Sequence, residues 1–215
     1  MTQTSLMRKA ILNIKGVQFL KFMGSGGYSG FSIRPDFSTF VLLLAWKNEE
    51  LARYHLENDS NLKNLTEATV EHWHIFLNPI HSKGEWSGIA PFEINQPVSK
   101  NSLMAVITRA SIRKRKLFSF WKYVPGVSKQ LYNQEGLLFA KGIGEVPLLE
   151  QATFSIWDTR EFMKKFAYQG NVHREMIRKT RELDWYSEEL FARFEVLDST
   201  GTYRGSNPAR LAESA

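Results

Sequence analysis

Two histidines spaced two residues apart are the first candidates for metal chemistry in this chain. His72 and His74 fall in a stretch that predicts a β-strand, so their side chains would share one face and could ligate a metal ion together with a carboxylate. The apolar residues Trp73, Ile75 and Leu77 would occupy the other face. That alternation is also typical of an ordinary amphipathic strand, which is the interpretation we favour.

His173 is the second candidate ligand. Asn171 can cap a helix that begins here, and the positions three, four and seven residues after His173 are Met176, Ile177 and Thr180. This stripe predicts that the imidazole faces inward. On the residues alone, a buried and hydrogen-bonded histidine explains the pattern at least as well as a metal ligand does.

A glycine-rich segment, Gly24 to Gly30, invites comparison with phosphate-binding loops, whose glycines let backbone N–H groups approach an anion. Ser29 stands where the third glycine of the dinucleotide-binding motif would be, and no Lys-Ser or Lys-Thr pair follows. The next predicted element is a strand rather than a helix. The segment therefore predicts a turn between two strands.

Composition narrows the chemistry further. The 215 residues include no cysteine, which excludes disulfides, a cysteine nucleophile, cysteine-held iron–sulfur clusters and a thiolate-ligated haem. The longest apolar run, Phe40 to Trp46, is too short to cross a bilayer, and the first residues lack a secretory-signal pattern. We therefore predict a cytoplasmic protein without a transmembrane anchor, whose redox chemistry would need a bound cofactor.

An internal repeat organises the elements that must position these residues. Gly16-x-x-Phe19-x-Lys21-x-x-Gly24 recurs 120 residues later, from Gly136 to Gly144. In each half a strand ending in Trp follows, then a helix-prone segment and another strand. The second half is also preceded by an apolar run and an amphipathic segment, so its order is β-α-β-β-α-β, that of a ferredoxin-like unit.

The repeat predicts an α+β fold of two tandem ferredoxin-like units, of the dimeric α+β barrel type, with the N-terminal unit incomplete. Only 15 residues precede Gly16, whereas 33 residues, from Leu103 to Glu135, precede Gly136 in its own unit. The predicted divisions are a truncated unit at 1–79, a linker packed on the sheets at 80–101, a complete unit at 102–198 and a polar tail at 199–215. A truncated unit exposes a sheet edge, which a partner or a second copy in a homo-oligomer could cover.

A basic cluster beside aromatic residues suggests contact with an anionic surface. The chain carries 28 Lys and Arg against 22 Asp and Glu, a formal net charge of +6. Arg113, Lys114, Arg115 and Lys116 lead into Leu117, Phe118, Phe120 and Trp121. This order suits peripheral attachment to anionic lipid, unless the apolar residues pack on the sheet and leave a solvated basic cluster. No RNA-recognition strand motif is present, so we predict no nucleic-acid partner.

Seven parts of the sequence resemble the spheroidene monooxygenases, the carotenoid ketolases of purple bacteria and their relatives. They are Gly24-Ser25-Gly26, Arg34-Pro35, Lys83 to Gly88 with Pro91-Phe92, Thr108 to Ile112, Gly142 to Pro147, Gln151 to Trp157 and Trp185 to Phe194. The similarity extends from about residue 10 to about residue 208. Family members generally carry a strand and a helix ahead of the region matching Gly16, and this chain departs from them there.

The resemblance implies an O2-dependent monooxygenase of carotenoid biosynthesis that uses haem, receives electrons from a reduced carrier such as ferredoxin, and associates with membranes on their inner face. It places His173 in a family-like segment, as a candidate haem-iron ligand. Arg109 and Arg193, each in a matching run, become candidates for pairing with the haem propionates, although they could instead form buried salt bridges. The rival function is a non-catalytic haem- or carotenoid-binding protein.

Overall fold

The computed structural model describes residues 3–27, 34–97, 99, 102–169 and 178–209. Its strands are β1 (Val17–Gly26), β2 (Pro35–Trp46), β3 (Trp73–Gly84), β4 (Met104–Ile112), β5 (Leu137–Val146), β6 (Glu150–Trp157) and β7 (Tyr186–Gly201). Its helices are α1 (Gln3–Leu12), α2 (Glu49–Asn58), α3 (Ser60–Glu67), α4 (Leu117–Tyr132), which a short 3₁₀ turn at Lys114–Lys116 precedes, and α5 (Arg160–Gln169). Among these described residues, no helix is both long and apolar enough to cross a membrane.

The strands form one antiparallel sheet in the order β2-β1-β5-β6-β4-β7-β3. The part β5-β6-β4-β7 has the strand order of a complete ferredoxin-like unit. The two units meet at two seams of unequal extent. β3 pairs with β7 from Trp73↔Gly201 to Gly84↔Leu190, whereas β1 pairs with β5 only at Gly24↔Gly144 and Ser25↔Ile143.

The two units correspond along the sequence in a helix and the strand that follows it. β1 and β5 begin at Val17 and Leu137, and α1 and α4 end at Leu12 and Tyr132, each pair 120 residues apart. The predicted α+β fold of two ferredoxin-like units, the first incomplete, is confirmed. The first unit contains a helix, α1, shorter than α4, and the described residues include no counterpart of β4.

The sheet curls around the main core. Phe19 and Met23 of β1 and Ile107 of β4 point into this core, which we call the inner face. β2 and β3 lie at opposite ends of the strand order, yet Val41 and Ile75 from these strands pack against the same core. The outer face carries a second cluster beneath α4 and α5. Alternation along each strand therefore assigns each side chain to the interior or to the helix side.

The predicted divisions of the chain differ from the structure at two places. β3 continues to Gly84, because residues 81–84 stay in register with β7, so part of the predicted linker is strand. The linker residues Trp86 and Phe92 are buried in the inner core, against the inner face of the sheet. The described part of the predicted tail belongs to the fold, because β7 runs to Gly201 and the Asn207 side chain bonds to Ser199.

Two glycines of the turn after β3 provide a matched stability test. Gly84 and Gly88 have φ angles of +95° and +74°, but a Cβ on Gly84 would lie 2.1 Å from the Glu189 carbonyl oxygen, whereas a Cβ on Gly88 would meet nothing within 4 Å. We expect Gly88→Ala to cost about 1–2 kcal/mol through its backbone conformation. Gly84→Ala should cost about 1–3 kcal/mol more, from the forced backbone shift. Urea denaturation measures both, and equal losses would contradict the close approach.

Candidate functional site

Six side chains from six different elements converge inside the barrel, near the end of the β5–β6 hairpin. We call them the inner polar cluster: Lys21 of β1, Trp86 of the turn after β3, Arg109 of β4, Glu145 of β5, Glu150 of β6 and Glu188 of β7. Burying several charges is costly unless each one is paired. The contacts of the cluster show that each charge has an opposite charge beside it.

Arg109 is at the centre of the cluster and is only 4% exposed. Its guanidinium forms ion pairs with Glu188 and Glu150 and donates a further hydrogen bond to the Ser111 hydroxyl at 2.8 Å. The Ser111 hydroxyl in turn donates to Glu150 at 2.6 Å. Arg109 therefore joins three adjacent strands, β6, β4 and β7, on their inner face.

Trp86 lies between the two cations of the cluster. Its ring centroid is 5.6 Å from both the Lys21 Nζ and the Arg109 Cζ, a distance at which each cation is attracted to the π-face. The indole Nε1 donates to Glu145, and Lys21 Nζ lies 2.7 Å from the same carboxylate and 2.6 Å from the Ser87 hydroxyl. These contacts hold the turn after β3 inside the barrel.

Glu188 binds the turn after β3 from the opposite side. Its carboxylate accepts hydrogen bonds from the backbone N–H groups of Ser87 and Gly88, at 3.0 and 2.7 Å. Burial acts to raise the pKa of Glu188, but these two donors and the Arg109 guanidinium together outweigh it and lower the pKa below its ordinary value. The carboxyl is therefore ionised at neutral pH and accepts bonds. This arrangement fixes a turn rather than transferring a proton.

Four members of the cluster, Trp86, Arg109, Glu145 and Glu188, come from runs that resemble a known family. Of these, only Arg109 is a site residue that the sequence predicts. Lys21 had a usable signal in the repeat, where it matches Lys141. Glu150 had only the predicted ferredoxin-like order of strands, which places its strand beside β4 but does not fix the register that brings it to Arg109.

A smaller group at Lys141 repeats the pattern for the other half. Lys141 Nζ lies 3.2 Å from Asp36 and 5.7 Å from the centroid of Tyr203, as Lys21 lies near Glu145 and Trp86. Hydrogen bonds to Asp36, the strongest from the Ser38 side chain and another from Lys141, outweigh the effect of burial and hold the pKa of Asp36 well below its usual range.

This lowered pKa predicts an acid-sensitive contribution to stability. A carboxyl whose pKa is lower in the folded than in the unfolded state stabilises the fold above the unfolded pKa of about 3.9, and loses that contribution as the pH falls below it. Asp36→Asn should therefore lower the free energy of unfolding at pH 7 and flatten its decline below about pH 4. Urea titrations at pH 7 and pH 3 measure this, with the exposed Asp158→Asn as control. An unchanged pH dependence would contradict the assignment.

The two arginines predicted to bind haem propionates lie on opposite faces of the sheet. Arg193 is opposite Val106, an outer-face residue, whereas its neighbour Ala192 belongs to the inner core. Arg109 faces inward and already has two carboxylate partners, which is the buried salt bridge considered as the alternative. One haem on one face cannot reach both guanidinium groups, so the structure does not bring these residues together.

Arg193 lies in a partly covered apolar part of the outer face. Its Cζ is 5.0 Å from the centroid of Phe191, and His81, its cross-strand neighbour, has its ring centroid 6.1 Å from the same ring. Ile80 belongs to the same face. We call Ile80, His81, Phe191 and Arg193 the outer shelf. His173, the predicted iron ligand, lies outside the described residues.

The remaining histidine pair shows no metal site. The rings of His72 and His74 are stacked 5.1 Å apart, and burial, with the nearby His72, lowers the pKa of His74. Across the described part of the chain, no group of three or more His, Cys, Asp or Glu residues could hold a metal ion. Trp73, Ile75 and Leu77 contact the inner core, so the amphipathic-strand interpretation is correct.

Of the apolar residues that follow the basic cluster after β4, only some are exposed to solvent. Phe120 is 5% exposed and packs edge-on against Trp185, and Leu117 and Trp121 are partly buried in the same group. Phe118 is 88% exposed. Its exposed ring stands beside the basic turn that contains Lys114.

No family model matches the chain. The chain is similar in sequence to curated spheroidene monooxygenases. That of Cereibacter sphaeroides is 34% identical over 199 residues, covering 92% of this chain and 61% of the relative. That of Rhodobacter capsulatus is 34% identical over 210 residues, covering 96% and 87%. That of Rubrivivax gelatinosus is 30% identical over 190 residues, covering 88% and 73%. The chain thus spans about three fifths of the Cereibacter protein.

Among solved structures, a heme-degrading enzyme of Listeria monocytogenes is 13% identical to this chain, with 89% of this chain and 94% of that one covered and a TM-score of 0.34. The fold assignment therefore depends on the strand order of this chain itself.

Proposed function

Because the chain belongs to the spheroidene monooxygenase family, we propose that it is an O2-dependent haem monooxygenase that hydroxylates and ketolates a carotenoid end group in carotenoid biosynthesis. The observation that carries the proposal is the 34% identity over 210 residues, 96% of the chain. The family-like runs also fold together, since four of them supply residues to the inner polar cluster.

The outer shelf is the place for the cofactor and the substrate in this proposal. Side chains fill the barrel interior, where Phe92 lies 6.4 Å from Phe19 and 5.0 Å from Phe194 between ring centroids. A long polyene has no room there. The outer shelf offers what a haem needs, an apolar wall with a guanidinium at its border, and so the described residues fit the group.

Within this proposal Arg193 would hold a haem propionate, and His173 would supply a neutral imidazole to the iron. A bound haem supplies the centre at which dioxygen is activated. Phe191 and Ile80 exclude water and orient the end group of the carotenoid. Each hydroxylation consumes one O2, two electrons and two protons and releases one water. A second hydroxylation at the same carbon, followed by loss of water, leaves a ketone.

The test is product formation by the whole chain. Protein reconstituted with haem is incubated with spheroidene in detergent micelles, O2 and reduced ferredoxin with its reductase. Hydroxylated and keto products detected by mass spectrometry, with one oxygen atom from ¹⁸O2, support the proposal. Bound carotenoid or haem without any product supports instead the binding-only alternative, which the incomplete first unit makes worth testing.

Peripheral attachment to a membrane belongs to the same proposal, because a carotenoid dissolves in the bilayer. Phe118 provides an exposed ring, and the basic cluster provides charge, each basic residue near anionic lipid contributing about 1 kcal/mol. Two such weak signals together are needed for stable binding. Arg113 and Arg115 also approach Asp184, at 3.2 and 3.5 Å, so the exposed Lys114 is the better residue to alter.

We expect the double variant Lys114→Glu with Phe118→Ala to lose most of its binding to vesicles that contain anionic lipid. Reversing one charge and removing the ring should weaken partitioning about tenfold or more. Co-sedimentation with and without anionic lipid measures it, and Lys63→Glu, an exposed change on α3, is the control. Unchanged sedimentation of the double variant would show that this segment is not the docking surface.

A further inference from the structure

The sheet has an opening between its two edge strands. Neither β2 nor β3 has a strand partner on its outer edge among the described residues. Their inward side chains still share one core, to which β2 contributes Val41 and Leu43 and β3 contributes Trp73 and Ile75. All four are only partly buried. Unpaired strand edges beside a half-covered apolar face are a template for an added strand.

The second unit shows what fills the equivalent position. There β4 lies between β6 and β7, with Arg109 opposite Ala152 on one side and Leu190 on the other. β2 and β6 end at Trp46 and Trp157, and β3 and β7 end at Gly84 and Gly201. Transposed by these offsets, the strand that corresponds to β4 would pair with residues 39–46 and 69–78, and its arginine would lie between Val41 and Trp73.

A carboxylate, that of Glu71, lies at that point. Glu71 binds the backbone N–H groups of Arg204 and Gly205, both at 2.7 Å, just as Glu188 binds those of Ser87 and Gly88. The two turns share their backbone form, with φ of 55° and 77° at Arg204 and Gly205 and of 57° and 74° at Ser87 and Gly88.

The difference between the two carboxylates is the arginine. Glu188 forms an ion pair with Arg109, whereas no Lys or Arg of the described residues pairs with Glu71. Glu71 is exposed at the rim of the opening. The first unit thus repeats the carboxylate of Glu188 as Glu71, but its described residues include no arginine that corresponds to Arg109.

The part of the β3 edge that no other described segment covers has the length that an added strand would need. Asn95 donates its backbone N–H to the Pro79 carbonyl at 2.8 Å, so the chain itself covers the edge of β3 from that residue. Residues 69–78, the stretch that the transposition selects, lie before this contact. A polyene or acyl chain would leave the edge N–H and C=O groups without partners, whereas a peptide strand satisfies them on both sides.

We propose that the opening between β2 and β3 binds an extended peptide segment as an added β-strand, with apolar residues at alternate positions and one arginine that pairs with Glu71. The peptide hydrogen-bonds to both edge strands and completes an eight-stranded barrel. Its apolar side chains cover Val41, Leu43, Trp73 and Ile75. This binding site does not depend on the proposed oxygenase activity.

The probe for this site is a labelled peptide with the sequence of residues 103–113 of this chain, the segment that contains β4. Added to the full chain, it should bind saturably in fluorescence anisotropy and raise the melting temperature. Replacing by alanine the peptide residue that corresponds to Arg109 should weaken binding about tenfold or more, because a charge-assisted pair is lost. Glu71→Gln in the protein should cause the same loss, and Glu67→Gln on α3 should cause none.

Three results would overturn the proposal. The first is no binding at millimolar peptide. The second is unchanged affinity when proline replaces the central threonine of the peptide, since a strand inserted between two neighbours needs its amide donors. The third is binding that Glu188→Gln weakens and Glu71→Gln does not, since the peptide would then have exchanged with β4 in the second unit.

Discussion

Replacing Arg109 by alanine is expected to lower the free energy of unfolding by about 3–5 kcal/mol. The guanidinium is the shared partner of Glu150 and Glu188, whose side chains are only 26% and 22% exposed, so its removal leaves two largely buried carboxylates without their cation. Trp86 also loses one of its two cation contacts. Urea denaturation followed by tryptophan fluorescence and by circular dichroism measures the loss.

An exposed arginine is the matched control. Arg178 pairs with Glu182 in the helical segment that the structure shows at 178–182, and both side chains are more than half exposed. Arg178→Ala should therefore cost no more than about 0.5 kcal/mol. Adding Glu188→Gln to the Arg109→Ala variant should recover part of the loss, because one unpaired charge is removed. If Arg109→Ala and Arg178→Ala cost the same, the inner polar cluster is not an essential part of the core.

The second large effect is expected for haem. We predict that His173→Ala removes the haem absorption band and with it the oxygenase activity, while the far-ultraviolet circular dichroism stays that of the native fold. The reason is that the sequence places His173 on the inward stripe of a helix within the family-like region, and the chain has no thiolate to take its place. Haem titration of the purified variant, followed by absorption, measures the loss.

Two further variants control this experiment. His55→Ala changes a histidine of α2, outside the outer shelf, and the combined His72→Ala and His74→Ala variant changes the stacked pair. Both should retain the band. If the His173→Ala variant binds haem normally and the His72 and His74 variant does not, the iron ligand belongs to β3 and its approach, and the assignment of His173 is wrong.

The fold could be predicted because its information is local and is repeated. The Gly16 and Gly136 motifs mark two strands of the same length, and hydrophobic segments that each end in Trp mark the next strand in both halves. Strand order in a ferredoxin-like unit follows from the order of elements along the chain. β3 extends past residue 79 into the predicted linker, because Gly84, Gly88, Pro91 and Pro97 are typical of a linker whereas the pairing of residues 81–84 with β7 is non-local.

The site was harder to predict, because it depends on which face each side chain occupies. Arg109 and Arg193 each lie in a family-like strand, but a shift of one residue in register moves a side chain to the opposite face of the sheet. Glu145 and Glu150 flank the turn of the β5–β6 hairpin, whereas Arg109 and Glu188 reach the cluster from β4 and β7, which are distant from that hairpin in sequence. Their partners become visible only when the β5-β6-β4-β7 order is known.

The short pairing between β1 and β5 determines where the sheet opens first in local unfolding. Only Gly24↔Gly144 and Ser25↔Ile143 are paired between these strands, whereas β3 and β7 are paired along their whole common length. Local opening therefore costs least at the β1–β5 seam, and amide protons there exchange with solvent before those of the β3–β7 seam. The ion pair of Lys21 and Glu145, which joins the two units beside the β1–β5 seam, opposes its opening.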